Sequence, residues 1–159
     1  MARGNRIVVF PADARGNYEE GTILDTSSPG TIMEIDPTIA LSSGSGRWSW
    51  IAANSATDGL NKGSAVLRED LLQGLSMTTA YVSGARCFLY HPIPGDELNC
   101  LLGEVAGTGN TYAIGDVLMQ DAETGILVPA STTPGQPWAI CLEVLTQVAG
   151  SNLTWVKKL

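Results

Sequence analysis

Short apolar runs, each closed by glycine or proline, recur along most of this chain. Trp48-Ser49-Trp50-Ile51-Ala52-Ala53 is the first strongly strand-like run in the body of the sequence. Arg86-Cys87-Phe88-Leu89-Tyr90-His91 follows Gly84 and stops at Pro92, and Leu98-Asn99-Cys100-Leu101-Leu102 lies between Gly95 and Gly103. Val117-Leu118-Met119, Ile126-Leu127-Val128, Trp138 to Leu145 and Leu153-Thr154-Trp155-Val156-Lys157 complete the series. Segments this short, enriched in β-branched and aromatic residues and punctuated about every dozen positions, predict an antiparallel sandwich or barrel. Asp121-Ala122-Glu123-Thr124-Gly125 has the chemistry of a hairpin turn.

Three features add detail. Ala65 to Leu72 places Leu67 and Leu71 four apart and ends near Gly74, which predicts one short helix of at most two turns. In Trp138–Leu145 the fully apolar set Ile140, Leu142 and Val144 is expected in the core, with Ala139, Cys141, Glu143 and Leu145 on the half-polar face. Residues 1–47 differ from the rest: after one expected strand at Ile7–Phe10 come Pro11, Gly16, Gly21, Pro29, Gly30, Pro37 and then Ser42-Ser43-Gly44-Ser45-Gly46. Such punctuation forbids a long helix and reads as an extended arm or as loops. The expected organisation is an all-β chain, with an N-terminal arm with loops and a short strand over 1–47 and a small antiparallel β-barrel or sandwich over 48–159. No internal repeat of fixed period is visible.

Composition narrows the function classes. Only 16% of the 159 residues are charged, against about 25% in ordinary domains. A surface so poor in charge favours a subunit covered by neighbours. The net charge is −7, which argues against nucleic acid as the main partner, because phosphate contacts need clustered Lys and Arg. No apolar run reaches the length of a membrane span, and the N-terminus lacks a secretory pattern, so no membrane partner is expected. Cys87, Cys100 and Cys141 lie in apolar runs without metal-ligand spacing and read as buried reduced thiols, as in a protein made in a cytoplasm. The charges are lopsided. Arg3, Arg6 and Arg15 crowd one end, Lys157 and Lys158 the other, and no Lys or Arg lies between Arg86 and Lys157.

No catalytic, cofactor-binding or metal-binding set is expected from the sequence. His91, the one histidine, has no evident base or orienting partner and reads as a strand-end residue. Val105 to Thr111 has the glycines of a phosphate loop but no lysine or following helix, so a hairpin loop is expected. Glu19-Glu20, Glu69-Asp70 and Asp96-Glu97 are adjacent pairs whose side chains diverge on a strand. Asn152-Leu153-Thr154 is a chance match to a glycosylation acceptor. Trp48 and Trp50 share one face at period two: core is the first reading, an aromatic platform for a sugar or a protein the second.

Gly63-Ser64-Ala65-Val66-Leu67-Arg68-Glu69-Asp70-Leu71-Leu72-Gln73-Gly74, then Ala80-Tyr81-Val82-Ser83-Gly84 and Pro94-Gly95-Asp96-Glu97, resemble the head decoration (cement) proteins of tailed bacteriophages. Tyr112-Ala113-Ile114-Gly115-Asp116-Val117-Leu118, Thr124 to Pro129 and Ala139 to Glu143 continue the likeness, which covers roughly residues 60–159. These motifs are turn residues that set barrel corners and carry no reactive group. The resemblance implies a non-enzymatic structural protein on the outer capsid surface of a virion. It implies a homotrimer that clamps neighbouring major capsid protein subunits, with an extended N-terminal arm. Arg3, Arg6, Arg15, Trp48 and Trp50 are then the candidate capsid or subunit contacts. The competing expectation is a carbohydrate-binding or adhesion module built on Trp48 and Trp50.

Overall fold

A computed structural model describes residues 6–10, 17–36, 48–53, 63–70, 72, 74, 76–103, 111–121, 124–130, 137–146 and 152–159. The fold is all-β, and no helix occurs among the described residues. Five strands close a first barrel: β2 (Tyr18–Ile23), β3 (Ile32–Ile35), β4 (Ser49–Ala52), β5 (Ala65–Leu67) and β6 (Arg86–Tyr90). Five more close a second: β7 (Glu97–Leu102), β9 (Val117–Gln120), β10 (Leu127–Pro129), β11 (Ala139–Cys141) and β13 (Asn152–Lys158). The short β1 (Val8–Phe10) adds to β7, and β8 (Thr111–Tyr112) pairs with β12 (Leu145–Thr146).

The two barrels are topological copies. The first runs β2-β4-β3-β5-β6 and the second β7-β10-β9-β11-β13. Each therefore places its strands in the order first, third, second, fourth, fifth, with the first–third pair parallel and every other pair antiparallel. The registers coincide as well. Ile32 faces Val66 and Val66 faces Tyr90, as Val117 faces Ile140 and Ile140 faces Lys157. Ile23 faces Trp50 as Leu102 faces Leu127. Tyr18 faces Tyr90 as Glu97 faces Lys157.

One turn design sets four corners. In Ser28–Thr31, Val82–Ala85, Ile93–Asp96 and Ala113–Asp116 the fourth residue donates its N–H to the first residue's carbonyl. The third residue is glycine at positive φ: Gly30 (91°), Gly84 (83°), Gly95 (101°) and Gly115 (93°). That combination is a type II turn, which disfavours a side chain at its third position. Each of these glycines also donates its N–H to a crossing strand, to Leu67, Ile23, Lys158 and Cys141 respectively, so the turn locks the barrel seam. Between β9 and β10, Thr124 Oγ1 donates to Asp121 Oδ2 at 2.6 Å.

Equivalent interior positions hold different but compensating residues. In the first barrel, Ile23, Met33, Trp50, Ala65, Leu67, Cys87 and Leu89 pack with Tyr81. Their register equivalents in the second are Leu102, Leu118, Leu127, Ala139, Cys141, Thr154 and Val156, all buried. Trp50 fits where the second barrel has Leu127 because Gly21 stands where the second has Cys100. A Cβ on Gly21 would sit 2.3 Å from Trp50 Cδ1. Volume is conserved across the pair, as close packing requires.

The barrels pack on each other through the outer row Ile32–Val66–Tyr90, which is buried in one cluster with Leu98, Cys100, Leu102 and Leu127. Ile32 N–H donates to the Gly125 carbonyl at 2.7 Å, and Leu101 N–H to the Gly30 carbonyl at 3.0 Å. The linker between the barrels is held by Asp96, whose buried Oδ2 accepts from Tyr90 Oη at 2.7 Å and Ile93 N–H at 2.9 Å.

Three expectations are corrected. The short helix over 65–72 does not form: Ala65, Val66 and Leu67 are all buried as β5, one face lining the first barrel and Val66 entering the junction, a demand that overrides helical spacing. The arm reading fails for residues 17–36, which supply β2 and β3 of the first barrel; residues 1–5, 11–16 and 37–47 lie outside the described residues. The faces of 139–145 are reversed. Ala139 and Cys141 are fully buried, whereas Ile140 and Leu142 are half-buried and Val144 is exposed. The interior of a five-stranded barrel beside Trp138 takes small side chains at those positions.

Candidate docking surface

The residues expected to make contacts separate in space. Arg3 and Arg15 lie outside the described residues. Arg6 is exposed, and its carbonyl accepts from Asn99 Nδ2 at 2.7 Å. Trp48 is 43% exposed at the entrance to β4, while Trp50 is fully buried in the first core. The paired aromatic platform is therefore corrected: a strand that enters a barrel tilts one tryptophan inside and leaves its neighbour at the rim. His91, expected without a partner, has Nε2 2.8 Å from Glu19 Oε2, and its ring stands edge-on to Trp50 at 5.7 Å. Pairing of β2 with β6 brings these residues together across the sequence.

Two exposed surfaces stand out. On the second barrel, the outer pair Val117 and Ile140 is flanked by the Ala113–Asp116 turn and by Val144. Val117 is 40%, Ile114 67% and Val144 64% exposed. The patch is edged by carboxylates held in place. Asp116 Oδ2 accepts from Ala113 N–H at 2.7 Å, and Glu143 Oε1 from Trp155 N–H at 2.9 Å. On the first barrel, Trp48 adjoins β2 through the Thr22 N–H bond to its carbonyl, and Arg86 lies beside Thr22 in the pairing. The Arg86 guanidinium sits 5.0 Å over the Phe88 ring and that of Arg68 4.5 Å over Tyr18, so both cations are stacked on aromatic faces. Arg68, Glu69, Leu72 and Phe88 also line a cleft of about 270 Å³.

The remaining titratable groups serve packing. Burial pushes the Cys87 thiol up to about 12 and raises Cys100 and Cys141 as well. Burial, with Asp70 nearby, raises the Tyr81 hydroxyl. Lys158 is lowered by burial over the Trp138 ring. Among the described residues no cluster of three or more His, Cys, Asp or Glu side chains is placed to hold a metal ion. The sequence reading missed Val117, Ile140, Val144 and Arg86 as surface candidates. The adjacency of Ile114, Val117 and Val144 depends on long-range pairing, and their apolar character by itself pointed inward.

No family model and no curated protein matches this chain. Among solved structures, the chain is similar to the N base of the head fiber gp8.5 of bacteriophage phi29. The TM-score is 0.53 at 11% identity, covering 91% of this chain and 98% of that one. The chain therefore shares the fold of a phage head-associated protein over nearly the full length of both.

Proposed function

We propose that this protein is a structural component of a tailed-phage virion, sited on the outer surface of the head and working by docking rather than turnover. One observation carries the reading: the two-barrel fold matches a phage head-fiber base across almost all of both chains. The turn motifs resembling head decoration proteins support it independently of overall shape. Decoration and cementing of the major capsid protein by a homotrimer, made in the host cytoplasm, is the specific form proposed. Several modest contacts per oligomer then combine into high avidity. A carbohydrate-binding module is disfavoured by the burial of Trp50, which removes half of the aromatic platform.

Mass spectrometry and labelled electron microscopy of purified particles test the role. The expected result is many copies per particle on the outside of the head; their absence overturns it. Particles stripped of the protein are expected to lose heat or osmotic tolerance. Unchanged tolerance would remove cementing and leave decoration.

A further inference from the structure

The inter-barrel junction has a plug and a socket. The plug is the first barrel's outer row Ile32–Val66–Tyr90 with Gly30 at its edge. The socket is the second barrel's Asn99, Leu101, Gly125 and Leu153. A Cβ on Gly30 would strike Leu153 Cδ2 at 2.5 Å, and one on Gly125 would strike the Ile32 carbonyl at 2.4 Å. Because the barrels share topology and register, each has its own version of both parts. The second barrel's plug is Val117–Ile140–Lys157 with Gly115 at its edge. The first barrel's socket is Glu20, Thr22, Trp48 and Arg86, by the same strand pairings.

Among the described residues of one chain, one plug and one socket are used. The second plug is left open: Val117 and the neighbouring Ile114 and Val144 are exposed, and a Cβ on Gly115 would meet nothing within 4 Å. The unused socket is open too, with Trp48 and Arg86 exposed.

We propose that copies of this chain associate head to tail, the Val117–Ile140 plug of one copy seating on the Trp48–Arg86 socket of the next and repeating the internal junction. Charge favours this pairing. Arg86 stands where the internal socket has Leu153, which lies against Gly30, and Asp116 stands where the internal plug has Thr31, the next residue after that glycine, so the repeated junction brings a cation and a carboxylate to neighbouring positions. Glu143 adds a second carboxylate at the plug rim, while Lys157 in the plug and Glu20 in the socket give each face one charge of the other sign. Like-with-like contact of two plugs would instead oppose carboxylates.

Two differences make the contact between copies weaker than the internal one. Trp48 replaces Gly125, so an aromatic anchor takes the place of close backbone approach. Thr22 N–H is already bonded to the Trp48 carbonyl at 3.0 Å, so the backbone exchange of the internal junction is not repeated. A head-to-tail contact is heterologous, and it closes into a ring when the rotation permits. The inference gives a surface to the self-association proposed above but stands on the internal geometry.

The test is the solution mass of purified protein by analytical ultracentrifugation. The wild-type chain is expected to form oligomers of the 16.7 kDa subunit. Val117→Asp in the plug and Trp48→Asp in the socket are each expected to sediment as monomers. Val82→Asp, at an exposed position on neither face, is expected to leave the mass unchanged. Both test positions are exposed, and circular dichroism melts confirm folding; Ile114→Asp and Arg86→Glu give second variants of each face. Mixing the plug variant with the socket variant restores one good junction, so a one-to-one dimer is expected. A monomeric wild type, oligomers that survive both changes, or a mixture that stays monomeric each overturns the inference. None of these results bears on whether the protein is found in virions, which the particle experiment decides separately.

Discussion

Gly21 and Trp50 fill one interior space between them, and the backbone at Gly21 has no room for a methyl group. Gly21→Ala forces the indole to move and is expected to cost about 1–3 kcal/mol, measured by urea denaturation. Asp96 makes a second localised demand. Asp96→Ala leaves Tyr90 Oη and Ile93 N–H without their acceptor and is expected to cost roughly 2–3 kcal/mol; a loss below a few tenths would show that water replaces the carboxylate at no cost. The thiols determine alkaline behaviour. Cys87 is held from its ordinary value of 9.0 up to about 12. Its stabilising contribution is complete below pH 9 and is lost as pH rises through that window, because the unfolded thiol ionises first. Cys100, Cys141 and Tyr81 act in the same sense, and Lys158, lowered by burial, acts against them. A melting temperature that falls between pH 9 and 12, with native thiols unreactive toward Ellman's reagent at pH 8 until denaturant is added, is the expected result.

Elements are held by their pairing more than by their own propensity. β5 is three residues long, yet it closes the first barrel between β3 and β6. Val66 also enters the inter-barrel cluster, so Val66→Ala is expected to weaken barrel and junction together, by about 1–2 kcal/mol, in the same denaturation assay. The apolar strand runs were legible because β-branched and aromatic residues between glycines have few other uses. β2 was not legible: Tyr18-Glu19-Glu20-Gly21-Thr22-Ile23 is polar, with a glycine in its middle, and only Trp50 across the barrel explains that glycine. β11 was legible as a strand but not as to which face is buried. Alternation fixes that residues 140 and 139 point opposite ways, while the choice of the smaller set for the interior depends on Trp138 and on the narrow barrel.

At the scale of the whole molecule the buried cluster runs without a break from Ile32 and Val66 into Leu98, Leu118 and Val156. The barrels are therefore expected to unfold in one cooperative calorimetric transition; two separate transitions would show that the junction does not couple them. Gly125→Ala, at φ 65° and against the Ile32 carbonyl, is expected to lower that single transition by disturbing the junction.

Sequence by itself determined the all-β class, most strand positions and the glycine turns, because these depend on neighbours within a few residues. It also disclosed the thiols as packing groups, from their apolar surroundings. Tertiary structure alone decided that the chain is two copies of one barrel. The equivalent strands are separated by unequal loops and filled by compensating residues, so no fixed period survives in the sequence. Tertiary structure likewise decided which apolar residues stay on the surface. A valine at position 117 and an isoleucine at position 32 are alike in sequence. One is exposed and the other buried because a second barrel covers only one of them.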